Sequence, residues 1–205
     1  MPLSILRASI VTIFTTCFLT SVSANPSHKE PPMIDGQCDE YSELGAMSMK
    51  IDDAVTLQIY QNQHFVWLCY NYPDGSYGTL DMIVDAPGLK EAMNLHISAQ
   101  LGEWPAEKPD MAPSESNSPL WWNHKGWTAN EVWFNGYRMH ETDNGEEQVA
   151  NWRNATAREI QLSKTYFGRG EWKLRLNINA IQGKDDKSYS IVFPSEDKFY
   201  TLKVN

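Results

Sequence analysis

The chain has 205 residues, with 17 Lys and Arg against 26 Asp and Glu and a formal net charge of −9. An acidic balance with no basic stripe argues against nucleic acid or an anionic membrane surface as a partner. The length suits a single domain able to bury a two-layer core.

Residues 1–24 carry one early positive charge at Arg7, an apolar stretch from Ile10 to Leu19, and small residues at Val22-Ser23-Ala24. That three-part layout predicts a secretory signal peptide cleaved after Ala24, with export to the periplasm or the exterior and no membrane attachment afterwards. A membrane anchor would need roughly 20 predominantly apolar residues, and this stretch is shorter and broken by threonines. Residues 25–33 read as a polar, proline-containing leader, and the domain proper as 34–205. Past the signal, Cys38 and Cys69 remain as an even pair in an exported chain, which predicts a disulfide. Loop closure of that length contributes about 3.5 kcal/mol.

The stretch from Val55 to Asp85 organises the fold. Val55, Leu57 and Ile59 alternate with Thr56, Gln58 and Tyr60, the period of a strand buried on one face. His64 to Tyr70 is apolar at nearly every position, as expected of a central strand covered on both sides. Pro73-Asp74-Gly75-Ser76 has turn chemistry and leads into the alternating run Thr79 to Asp85. The expectation is three consecutive antiparallel strands joined by two tight turns. Ala92 to Ala99 makes a further strand, with Gly102-Glu103-Trp104-Pro105 ending it, and the Pro- and Ser-rich residues from Ala106 to Pro119 form a surface loop.

An aromatic-rich insertion near residues 104–140 follows. From Trp121 to Tyr137, indole and phenyl rings are mixed with Asn, His, Lys and Glu. Sugars lay flat C–H faces against indoles while their hydroxyls bond amides and carboxylates, so the mixture fits a saccharide site. Trp121, Trp122 and Trp127 are the stacking candidates, with Asn123, Asn130 and Glu131 as hydrogen-bonding candidates; buried packing of these rings is the competing reading. Strands resume at Arg158 to Leu162. Trp172, Leu174, Leu176 and Ile178 then alternate with polar residues, and Tyr189 to Phe193 and Phe199 to Val204 close the chain. Short strands separated by turns, with no long amphipathic helix, predict an all-β protein: an antiparallel two-layer β-sandwich.

The opening Ile34-Asp35-Gly36 with Asp39-Glu40, the pair VTLQIY and HFVWLCYNY, the strand LDMIVD, the segment REIQL followed by WKLRLNINAI, and the closing FYTLKV together resemble the DOMON-like sandwich, especially the family 9 carbohydrate-binding modules. The resemblance implies an accessory, non-catalytic protein of secreted polysaccharide breakdown or uptake, which holds a poly- or oligosaccharide between aromatic rings. It also implies that structural calcium is compatible with the fold, for which the acidic turn at Asp35 to Glu40 offers oxygen ligands. In the family the ligand aromatics precede the LDMIVD-like strand and the last strand. Here those places hold Tyr77, a further stacking candidate, and Phe193.

Two other functions compete. A glycoside hydrolase needs two carboxylates across a sugar; Glu103, Glu131 and Glu159 are candidates, and no pair is singled out. A haem-binding electron carrier, implied by some DOMON domains, would use His96 with Met82 or Met93.

Overall fold

The computed structural model describes residues 30–130, 133–142, 145–153, 155–185 and 187–205. The predicted signal peptide, residues 1–24, and the leader residues 25–29 lie outside them. In chain order the elements are α1 (Asp39–Glu43), β1 (Met47–Lys50), β2 (Thr56–Gln61), β3 (Phe65–Asn71), β4 (Thr79–Asp85), β5 (Met93–Ile97) and β6 (Leu101–Pro105). There follow β7 (Trp127–Ala129), β8 (Trp133–Thr142), β9 (Gly145–Arg153), β10 (Ala157–Ser163), α2 (Lys164–Phe167), β11 (Gly170–Gln182), β12 (Ser188–Phe193) and β13 (Tyr200–Val204).

These strands form the antiparallel sandwich that the alternation predicts. The first sheet has the order β1-β2-β3-β10-β7, and the second β12-β11-β4-β5-β6 with β13 also paired to β11. Strands β8 and β9 form a separate two-stranded hairpin. One core lies between the sheets. Leu57, Ile59, Val66, Leu68 and Tyr70 of the first sheet meet Leu80, Met82, Val84, Leu95, Trp172, Leu174, Leu176 and Ile178 of the second. The period-two spacing of these side chains puts each set on a single face of its sheet.

Two expectations need correction. The connection after β3 is a crossover between sheets, because β3 is already paired on both edges, with β2 and β10, while β4 pairs with β11 and β5. The residues from Gly102 to Pro105 do not end β5 but belong to their own strand, β6, which pairs with β5 after the Ser98–Gln100 turn.

The outer face of the first sheet is sealed by the segment before β1. Trp67 and Cys69 point outward from β3, yet they are buried with Tyr41 of α1 and Ala157 in a second apolar cluster. Three devices hold this cover in place. Cys38 and Cys69 form the predicted disulfide, with Cα atoms 5.8 Å apart. Glu159 of β10, fully buried, accepts the backbone N–H groups of Asp35 and Gly36, each at 2.7 Å, and the Tyr41 hydroxyl at 3.1 Å. Gly36 turns at a φ of +82, where a Cβ would lie 2.7 Å from that of Ala155, so the turn requires glycine. Burial raises the Glu159 pKa to about 7 against the pull of its three donors. Burial together with the Glu159 carboxyl pushes the Tyr41 hydroxyl well above its ordinary range, so it remains a donor.

Candidate functional site

Among the described residues, no helix or disulfide seals the outer face of the second sheet at β4, β5 and β6 as α1 and Cys38–Cys69 seal the first, although the outward Asn94 is buried there. Pairing places Asp81 opposite His96 and His96 opposite Gly102, while Ile83 pairs with Asn94 and Asn94 with Trp104. Since Leu95 and Ile97 point into the core, Asn94 and His96 point out. Asp81 Oδ1 accepts Asn94 Nδ2 at 3.0 Å and faces His96 Nδ1 at 2.9 Å, and His96 Nε2 lies 2.9 Å from Ser98 Oγ. Desolvation by itself would raise the Asp81 pKa; the His96 and Asn94 hydrogen bonds outweigh it and hold the carboxyl below its ordinary value.

Two indoles flank this imidazole. The ring centroid of Trp104 is 5.7 Å from that of His96, and the centroid of Trp121 is 5.5 Å away on a tilted plane. Trp121 comes from the loop after β6 and is half-buried, with its Nε1 donating to the Glu115 carbonyl at 2.9 Å. Its seat exists because β6 has no side chain at Gly102: a Cβ there would stand 2.8 Å from Trp121 Cζ3. The next residue, Trp122, has a φ of 65 and is 50% exposed, with its N–H pinned to the Leu101 carbonyl at 2.7 Å. A positive φ at a bulky non-glycine residue stores strain, which the Leu101 bond holds in place. Beside Trp104, Met111, Leu120, Asn123 and Lys125 line a cleft of about 190 Å³. The arrangement offers half-exposed rings, hydrogen-bonding groups and an adjoining depression, the ingredients for holding a hydroxylated ligand.

The predicted site residues separate. Trp121, Trp122 and Asn123 lie at this face or its rim. Trp127 does not: it is 5% exposed, packs in the main core and donates from Nε1 to Glu103 Oε2 at 2.8 Å, so neither ring face is free for a sugar. Asn130 is also buried, bridging strands by donating to the Ala157 carbonyl at 3.1 Å and accepting the Glu159 N–H at 2.6 Å. Its side chain is structural. Glu131 lies outside the described residues. Tyr77 is 52% exposed but stands at the end of the sandwich, its N–H on the Ala180 carbonyl. Phe193 pairs with Leu176, four residues along β11 and so about 13 Å from that point. These two rings form no clamp.

The residues that sequence reasoning missed are Trp104 and Asp81 as partners of His96, and Asn94 as a partner of Asp81. The alternation Asn94/His96 and Gly102/Trp104 lies in the sequence, but its alignment depends on the β5–β6 hairpin and the pairing with Asp81 on the sheet. Among the carboxylates nominated for hydrolysis, Glu103 Oε2 is occupied by Trp127 Nε1 and the Lys125 N–H, and Glu159 is sealed under α1. His96 points outward while Met82 and Met93 pack on the core, so the sheet separates the residues nominated for haem. Asp35 Oδ1 accepts the Gln37 N–H and Glu40 Oε1 the Met33 N–H, and among the described residues no three His, Cys, Asp or Glu are grouped to hold a metal ion. Among the same residues, no helix is long and apolar enough to cross a membrane.

No protein-family model, curated protein or solved structure matches this chain. The functional reading therefore rests on the face itself.

Proposed function

We propose that this is an exported carbohydrate-binding protein, a member of the DOMON-like sandwiches akin to the family 9 modules, which acts in polysaccharide uptake or breakdown. The observation that carries the reading is the row Trp104, His96 and Trp121, with ring centroids 5.7 and 5.5 Å apart, each ring partly exposed on the outer face of the second sheet. Sugar C–H faces lie on the indoles, and hydroxyls bond to the polar rim at Asp81 and Asn123. Each stacked ring contributes on the order of 1 kcal/mol beyond area burial, so affinity is modest and depends on both rings. The signal-like segment of residues 1–24 and the Cys38–Cys69 disulfide support an oxidising compartment outside the cytoplasm.

Affinity gel electrophoresis against a panel of soluble polysaccharides tests this. At least one polysaccharide is expected to retard the parent. Trp104→Ala and Trp121→Ala are each expected to lose about tenfold in affinity, equal to about 1.4 kcal/mol, with little change in unfolding midpoint. If no polysaccharide retards the parent, or if both variants migrate with it, the proposal fails.

A further inference from the structure

The side chains of Asp81, His96 and Ser98 lie in a chain with the order and spacing of a nucleophilic relay. Asp81 Oδ1 to His96 Nδ1 is 2.9 Å, and His96 Nε2 to Ser98 Oγ is 2.9 Å. The proton positions follow from the partners. A carboxylate only accepts, so Nδ1 carries the hydrogen facing Asp81; in the neutral ring Nε2 is then the acceptor and takes the Ser98 hydroxyl. The remaining acceptor capacity of Oγ meets the Gln100 N–H at 3.3 Å. The Gln100 carbonyl, also at 3.3 Å, competes for the hydroxyl proton from the longer distance. Asn94 Nδ2 donates to the same Asp81 oxygen and so fixes the carboxylate that orients the ring. His96 and Ser98 are half-buried, neither sealed nor fully solvated, and the Trp104 and Trp121 rings both pack against the imidazole. Nothing in ligand binding by the two indoles calls for a serine on the far nitrogen of the histidine.

We propose that this relay hydrolyses acyl esters, with Ser98 as nucleophile, His96 as general base and Asp81 as the residue that positions the ring. That the ester is an O-acyl group on a glycan held by the adjoining indoles rests on the carbohydrate-binding reading above; the ester chemistry itself does not. Ser98 Oγ attacks the acyl carbonyl carbon as its proton passes to His96 Nε2. The ester C–O bond breaks, and the departing sugar hydroxyl takes that proton, leaving an acyl-serine. Water then attacks the same carbon, giving its proton to Nε2; the C–Oγ bond breaks, the acid leaves, and Oγ regains the proton. The Gln100 N–H donates to Oγ itself, the attacking oxygen, and not to the site of the developing oxyanion. Each oxyanion donor is worth about 10² to 10³ in kcat, so a relay that relies on the nucleophile and base turns over slowly and prefers activated esters.

The test uses the mature chain and a fluorophosphonate probe, read by intact mass and peptide mapping, together with hydrolysis of 4-nitrophenyl acetate. The expected result is one phosphonyl adduct on Ser98, absent in Ser98→Ala. In His96→Ala the labelling rate should fall about 10²-fold and recover in part on addition of free imidazole. Asp81→Asn should slow labelling, and Asp81→Glu should restore part of the rate. Near-ultraviolet circular dichroism of each variant confirms the fold. No adduct at Ser98 in the parent, or equal labelling in a folded His96→Ala, overturns the relay. Gel retardation of Ser98→Ala reads the binding face separately. If the gel retards while Ser98 stays unlabelled, the relay fails and the binding stands; if Ser98 labels while no polysaccharide retards, the glycan as carrier is overturned and the esterase stands.

Discussion

The outer faces of the two sheets are built from the same alternation and end in opposite states. On the first sheet, outward Trp67, Cys69 and Glu159 are covered by the α1 segment, with a disulfide and three hydrogen bonds to one buried carboxylate. On the second, outward Asp81, His96 and Trp104 keep contact with solvent and are joined by Trp121 from a loop. The comparison shows that large aromatic side chains on a strand do not by themselves mark a site. An indole whose neighbours seal it stabilises the fold, and an indole whose neighbours stop short of covering it is free to meet a ligand.

The largest effect should come from removing a covered indole. Trp127→Ala opens a cavity in the main core and removes one of the two donors to Glu103 Oε2, so it should cost about 3–5 kcal/mol in urea unfolding. Retardation by a polysaccharide, measured well below the unfolding transition, should survive. Trp121→Ala should do the reverse. If Trp127→Ala abolished binding while leaving stability intact, the division of labour between buried and open rings would collapse.

The cover of the first sheet can be loosened in two ways. Replacing both Cys38 and Cys69 by Ser should lower stability by about 3.5 kcal/mol, since the bridge closes a loop of sequence separation 31. Glu159 supplies a pH signature. Its folded-state pKa, about 7, lies above the ordinary carboxylate value, so between those two values the native state binds the extra proton. Stability should therefore fall as pH rises through that window and level off above it, by at most on the order of 3 kcal/mol. Glu159→Gln should flatten this slope. Its oxygen can still accept the Asp35 and Gly36 N–H groups, and its amide can donate to a Tyr41 hydroxyl that turns acceptor. Urea unfolding at several pH values measures both, and an unchanged slope in Glu159→Gln would assign the pH dependence elsewhere.

How much of this was legible beforehand divides along the same line. The sandwich, the central position of β3 and the Cys38–Cys69 bridge follow from alternation and from an even cysteine pair in an exported chain, which are local signals. The crossover after β3 was not legible, because a Pro-Asp-Gly turn looks the same whether the chain folds back into its own sheet or passes to the other. The candidate site was half legible. The aromatic stretch from Trp121 contributed one ring to the face, but its partners Trp104, His96 and Asp81 come from three different strands, and sheet register alone brings them together. Of the two readings weighed for Trp127, stacking and buried packing, the structure shows packing; its place near Trp121 in sequence hides a change of environment, since β7 turns it inward against β10.

The smallest change sharpens the comparison most. Gly102 has no positive φ to preserve, so alanine fits its backbone and would reduce the freedom of the unfolded chain. What resists is Trp121, whose Cζ3 and Cε3 would lie 2.8 and 2.9 Å from the new methyl. The indole sits at the protein surface and can shift outward, so Gly102→Ala should change stability by less than about 1 kcal/mol. The displaced ring should no longer lie against His96, and affinity for the retarding polysaccharide should drop severalfold although no ring has been removed. Equal retardation of Gly102→Ala and the parent would show that the position of Trp121 over β6 does not matter. In that case the exposed Trp122 next to it, rather than the row through His96, would be the ring that meets the ligand.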